Sequence, residues 1–176
     1  MSKAFTNDDS SNEPLIVPER APLPPGVPNY VTERGRRLLE EERQALLAER
    51  VRLNALEPDD GAEEQRQQLG AVNKRLRDLT ERIATARTVT QAAQQDQAVR
   101  FGATVTLRAV QEGTAGEPRR IKLVGADEAA ESADLVAFYA PIARAILGHY
   151  PGDRVSRRTE SGEEVLEILD VQYEKP

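Results

Sequence analysis

Leu69-Gly70-Ala71-Val72-Asn73-Lys74-Arg75-Leu76-Arg77-Asp78-Leu79-Thr80-Glu81-Arg82-Ile83-Ala84-Thr85-Ala86 is the stretch from which the rest of the chain is read. Its apolar residues Leu69, Val72, Leu76, Leu79, Ile83 and Ala86 are alternately three and four positions apart. A helix with that spacing carries one narrow apolar stripe, suited to packing on a second helix. Asn73, Lys74, Arg75, Arg77, Asp78, Glu81 and Arg82 lie between and favour water.

The partner lies just upstream. Thr32 is placed to cap a helix running from about Glu33 to Leu56, because its hydroxyl can accept from an N–H of the first turn. Leu39, Leu46 and Leu53 recur every seven residues, and Leu38, Ala45, Leu47, Val51 and Leu56 widen the stripe. Pro58 and the Asp59-Asp60-Gly61 turn stop this helix, and a second runs from about Ala62 to Arg87. A short turn between two long amphipathic helices makes them antiparallel neighbours, each about 35–40 Å long at helical rise. The alternative is pairing between two chains, which a monomeric mass in solution would reject. We expect a monomer.

The rod is electrically balanced, with twelve basic and twelve acidic residues between Glu33 and Arg87, but the charges are unevenly placed. Glu57, Asp59, Asp60, Glu63 and Glu64 crowd the turn. Asp60 and Glu63 have the spacing of a capping box, and acids suit a first helical turn, so a purely local role accounts for part of this cluster. Lys74, Arg75 and Arg77 form a basic face on the second helix, where partners one turn away on a solvated surface are the simplest reading.

Flanking this arm are segments of different character. Residues 1–29 hold six of the eleven prolines, which remove backbone donors and disfavour helix at the preceding residue; a disordered tether is expected. The arm covers 30–90, and a polar linker occupies 91–100. From 101 to 176 the periodicity shortens. Phe101–Val110, Ile121–Val124, Leu135–Phe138 and Val165–Tyr173 read as strands separated by glycine-marked turns, and Pro141 opens a short helix ended by Gly148. The expected class is α+β: a long antiparallel helical hairpin followed by a small antiparallel β domain with a short helix.

Composition closes off several functions. Cysteine is absent and His149 is the sole histidine, so thiolate and multi-histidine metal sites are excluded. The net charge of −6 argues against a general nucleic-acid binder. No apolar run reaches the length of a membrane span, and Met1–Phe5 lacks the apolar core of a signal peptide. A cytoplasmic protein is expected.

Several blocks of the second half occur in the order found in the C-terminal domain of the bacterial Gre transcript-cleavage factors. They are Phe101-Gly102-Ala103-Thr104-Val105, Leu123-Val124-Gly125-Ala126-Asp127-Glu128-Ala129, Ala140-Pro141-Ile142-Ala143-Arg144-Ala145, Gly152-Asp153 and Glu164-Val165-Leu166-Glu167-Ile168. Tyr30-Val31-Thr32-Glu33-Arg34-Gly35 and Asn73-Lys74-Arg75-Leu76-Arg77-Asp78 resemble the arm of the GreB type. The resemblance implies an FKBP-like C-terminal domain that docks on RNA polymerase beside the secondary channel, with Pro141, Ile142, Ala143 and Arg144 in the docking block. It also implies that the arm enters the channel and that tip acids, here Asp59, Asp60, Glu63 and Glu64, help hold a magnesium ion shared with the polymerase while a backtracked transcript is hydrolysed. Such a factor has no cofactor and no enzymatic activity of its own, and meets nascent RNA only within the elongation complex.

The sequence departs from the family at the tip. Gre arms carry Gly-Asp-x-x-Glu-Asn-Ala-x-Tyr, whereas this chain has Gly61-Ala62-Glu63-Glu64-Gln65-Arg66-Gln67-Gln68, in an arm shorter by about a dozen residues, roughly 9 Å at helical rise. An inhibitory or modulatory channel binder is the first alternative. A prolyl isomerase is the remote one, since it needs an aromatic-lined pocket built from Phe101, Phe138, Tyr139, Tyr150 and Tyr173.

Overall fold

The structure is a computed structural model and describes residues 20–56, 62–90, 97–111 and 114–174. Helix α1 spans Glu33–Asn54 and α2 spans Ala62–Thr85. Thr32 caps α1 as its sequence requires, accepting from the Gly35 N–H at 2.9 Å. The two helices pack through Leu39, Leu46 and Leu53 on one side and Val72, Leu76, Leu79 and Ile83 on the other, all buried, with Val31 closing the base. The seam is thus filled within the chain. It is narrower than the sequence suggests: Ala45, Val51 and Leu56 are exposed, because the helices meet along a single stripe and these residues lie off it. Gln65 of α2 donates to the Leu53 and Leu56 carbonyls, satisfying acceptors that the end of α1 leaves open.

The arm is also closed at its base. Strand β1 (Tyr30–Val31) pairs in parallel with β2 (Arg87–Thr88), so the segments entering and leaving the hairpin run side by side.

The second unit is a sheet in the order β6-β5-β3-β8-β7, with β4 appended to β3. Its strands are β3 (Thr104–Gln111), β4 (Thr114–Ala115), β5 (Arg119–Val124), β6 (Leu135–Ala137), β7 (Arg154–Thr159) and β8 (Gly162–Gln172). The antiparallel sheet expected from sequence is in fact mixed: β5 and β6 run parallel, because the chain returns through the four-residue helix α3 (Ala126–Ala129) instead of a tight hairpin. The short helix α4 (Pro141–Ile146) begins at the predicted proline and buries Ala143 and Ile146 among Val105, Leu107, Ile121, Leu123, Val155, Leu166 and Ile168.

Strand β7 has no counterpart in the sequence reading. Arg154-Val155-Ser156-Arg157-Arg158-Thr159 offers one apolar residue, Val155, to the core. Pairing with β8 explains the rest: Arg157 lies opposite Glu164 and Arg154 opposite Glu167, and both pairs form ion pairs. Cross-strand charge complementarity here replaces apolar alternation.

Candidate functional site

Three places deserve comparison: the tip of the arm, its basic flank, and the junction between arm and sheet. Of the tip acids, Asp59 and Asp60 lie outside the described residues. Glu63 and Glu64 stand in the first turn of α2, where acids complement the helix dipole, and both are exposed. Each has a partner on its own helix: Glu63 pairs with Arg66 at 3.1 Å, and Glu64 accepts from Gln68 at 3.2 Å. Among the described residues, which exclude Glu57, Asp59 and Asp60 of the tip, no group of three or more ligating side chains could hold a metal ion.

The basic flank divides. Lys74 pairs with Asp78 one turn on, at 3.7 Å. Arg77 faces a groove of about 600 Å³ between the helices, lined also by Arg43, Leu47 and Arg50 of α1 and by Asn73, Leu76, Thr80 and Glu81 of α2; Lys74 and Arg75 do not line it. Arg43 pairs with Glu40. Among the described residues neither Arg50 nor Arg77 has a carboxylate partner. Sequence reasoning found Arg77 but missed Arg43 and Arg50; their seven-residue spacing beside Leu46 was the available signal.

In the docking block the residues part company. Ala143 is fully buried and Ile142 packs against the core, so these two serve the domain itself. Pro141 and Arg144 are exposed, and among the described residues Arg144 has no ion-pair partner.

The junction is the best-built cluster, and the sequence did not single it out. Asp127 and Glu128 of α3 meet both helices of the arm at its base. Glu128 is 2% exposed; it accepts from the Thr32 hydroxyl at 2.7 Å and faces Arg34 at 3.5 Å, while Arg34 also bonds Glu131 at 2.6 Å. Asp127 lies between Arg82 of α2, at 3.8 Å, and Arg20, which also bonds Glu42 of α1. Burial alone would lower the Arg20 pKa, but Asp127 and then Glu42 outweigh it and hold the guanidinium more firmly charged than usual. Two glycines allow this approach. A Cβ on Gly35 would come within 2.4 Å of the Glu128 carboxylate, and one on Gly125 within 2.4 Å of the Tyr30 carbonyl oxygen.

Tyr30 extends the junction into the aromatic residues of the sheet unit. Its ring lies 5.9 Å from Phe101 and 5.4 Å from Phe138, and those two are 5.5 Å apart. Tyr150 is exposed, and the Tyr173 hydroxyl is engaged by the Ala98 carbonyl. Of the five aromatic residues, Phe101, Phe138 and Tyr139 stack edge to face next to the base of the arm.

The family profile described as Transcription elongation factor, GreA/GreB, C-term matches residues 94–173. The transcription elongation factor GreA of Vibrio cholerae is 31% identical over 154 residues, covering 81% of this chain and 96% of the relative. GreB of Pasteurella multocida is 30% identical over 158 residues, covering 84% and 98%. A solved GreA/GreB factor from Nitrosomonas europaea covers 84% of this chain and 99% of its own at 21% identity, with a TM-score of 0.40. The relatives include both GreA and GreB at similar identity, without favouring the GreB type. Spanning nearly the full length of such relatives, the chain belongs to the GreA/GreB family of transcription elongation factors.

Proposed function

We propose that this protein binds RNA polymerase at the secondary channel, seated through the exposed Pro141 and Arg144 side of its C-terminal unit, with the arm inserted toward the active centre. The observation that carries this reading is the arm itself: a two-helix rod of roughly 33–36 Å by helical rise, closed at its base on the sheet unit and bearing exposed carboxylates on the turn of α2 nearest its end. A rod of this width reaches into a narrow channel where a globular domain cannot. Its tip acids supplement ions held by the polymerase, and the cationic groove of Arg43, Arg50 and Arg77 meets the phosphates of the nascent transcript, since guanidinium groups recognise phosphate in a forked geometry. The protein acts on the hydrolytic activity of the polymerase and performs no reaction alone.

A second reading has its own support. Ala62 stands where Gre arms carry aspartate, and Glu63 is paired with Arg66; an arm so equipped occupies the channel without promoting cleavage. A transcript-cleavage assay on stalled elongation complexes separates the two. Under the first reading the protein stimulates cleavage, and changing Asp60→Asn with Glu63→Gln abolishes stimulation while polymerase binding survives. Under the second the wild type gives none, yet competes with a cleavage-competent factor. Absence of binding to the polymerase would refute both.

A further inference from the structure

We propose that the segment ahead of the arm is a strap that locks the arm at a fixed angle to the sheet unit, with Arg20 as its bolt. The segment's proline-rich sequence predicts a plain tether. Residues 1–19 of it lie outside the described residues, but Arg20 and Ala21 lie across the junction. One guanidinium nitrogen of Arg20 donates to Glu42 of α1, and another donates to Asp127 of α3. A single side chain therefore bridges two carboxylates from separately folded units. The strap is held a second time, because Arg82 of α2 donates to the Ala21 carbonyl at 2.5 Å.

Electrostatics make this bridge more than an extra contact. Glu42 and Asp127 accept from different nitrogens of one guanidinium; without Arg20, Asp127 keeps Arg82 at 3.8 Å, and the attraction that Arg20 supplies between Glu42 and Asp127 is lost. The planar fork of Arg20 suits the task, because each carboxylate takes a different nitrogen. Only 20% of the Arg20 side chain remains exposed, so solvent screens the bridge weakly.

The junction is polar where the two units it joins are apolar inside. Asn29 Oδ1, Arg82 Nη1 and Asp127 Oδ2 are buried there and find no hydrogen-bond partner among the described residues. Asp127 Oδ2 still faces Arg82 at 3.8 Å, so the junction rests on charge pairing, whereas the seam of the arm and the core of the sheet unit are apolar. Loosening at the junction leaves both units folded, and the strap opposes it.

The chain has no cysteine, so spin labels at Gln67→Cys on the arm and Glu160→Cys in the sheet unit report one distance by double electron–electron resonance. In the full-length protein the distribution is narrow. Arg20→Ala, and separately removal of residues 1–21, broaden it at least twofold while helical circular dichroism is unchanged. Glu42→Gln, which leaves Arg20 and Asp127 in place and removes only the arm-side carboxylate, broadens it similarly. A distribution of wild-type width in the truncated chain overturns the strap. Wild-type width in Glu42→Gln with broadening in Arg20→Ala overturns the bridge, since Arg20 would then bind the sheet unit alone.

Discussion

The seam of the arm and the junction at its base both hold α1 and α2 in place, but by opposite means. The seam is apolar, repetitive and local to one hairpin; the junction is charged, irregular and assembled from α1, α2, α3 and the strap. Burying apolar surface is favourable without regard to direction, so the stripe sets which faces meet and where the helices run, and close packing sets how firmly they hold. Charge pairs stripped of water contribute only where each group finds its partner, so the junction is demanding about placement and sets which way the arm points. Stability and direction are therefore carried by different residues.

The sharpest way to break this division is to put a charge into the seam. Leu79 is 1% exposed, and Leu79→Asp buries a carboxylate with no partner. The expected outcome is loss of the hairpin, seen as a collapse of helical circular dichroism with the sheet unit intact. Leu79→Ala, which leaves a cavity instead, should cost about 2–5 kcal/mol, read as a lowered denaturation midpoint of the arm. If Leu79→Asp kept full helicity, the seam would not be what holds the arm.

Next in size is Gly125→Ala. The added methyl meets the backbone carbonyl of Tyr30, which cannot rotate away as a side chain would. We expect a loss of about 1–3 kcal/mol, the usual range for overpacking, with the arm still helical but displaced from α3. Near-neutral stability together with an unmoved arm would show that the junction is more compliant than its contacts imply.

The smallest expected effect sharpens the comparison within the sheet unit, where charges also sit in register. Glu167 accepts from Arg108 at 2.6 Å and faces Arg154 at 3.4 Å. The hydrogen bond from Arg108 holds its carboxyl below the ordinary carboxylate range. A depressed folded-state pKa means that its contribution is present above the unfolded-state value, near 4.3 for glutamate, and fades as pH falls through the folded value. Glu167→Gln should therefore lower stability slightly at neutral pH and flatten the loss of stability below about pH 4. An acid profile identical to wild type would show that this surface pairing carries nothing measurable.

The same division explains what could be read without coordinates. Leu39, Leu46, Leu53, Val72, Leu76, Leu79 and Ile83 are buried as their spacing requires, because periodicity encodes a face and a face is all a helical hairpin needs. The sequence pattern places Arg82 among residues that favour water, yet it is 8% exposed; its neutralising partner Asp127 lies 45 positions away, and nothing in the local pattern points to it. Arg20 and Asp127 are 107 positions apart. Gly35 and Gly125 were visible as letters in recognisable blocks, but the close approach that demands glycine exists only once both units are folded. Strand β7 escaped for a related reason: its arginines make sense only opposite Glu164 and Glu167. In the site, the tip acids and basic flank were legible as charges, while the groove joining Arg77 to Arg43 and Arg50 required the packing of α1 on α2.

The parallel pairing of β1 with β2 has a consequence for the arm as an exchangeable part. Tyr30 lies opposite Arg87 and Val31 opposite Thr88, so the two points where the hairpin leaves and rejoins the body are about 4.8 Å apart, the spacing of neighbouring strands. The part of the hairpin beyond Glu42 and before Arg82, which lies outside the contacts with α3 and the strap, can lengthen or shorten by whole helical turns without moving either attachment point. A chain built this way can change its reach independently of its seat, and a foreign hairpin spliced between Glu42 and Arg82 would keep the Thr32, Arg34, Glu42 and Arg82 contacts that mount the native one.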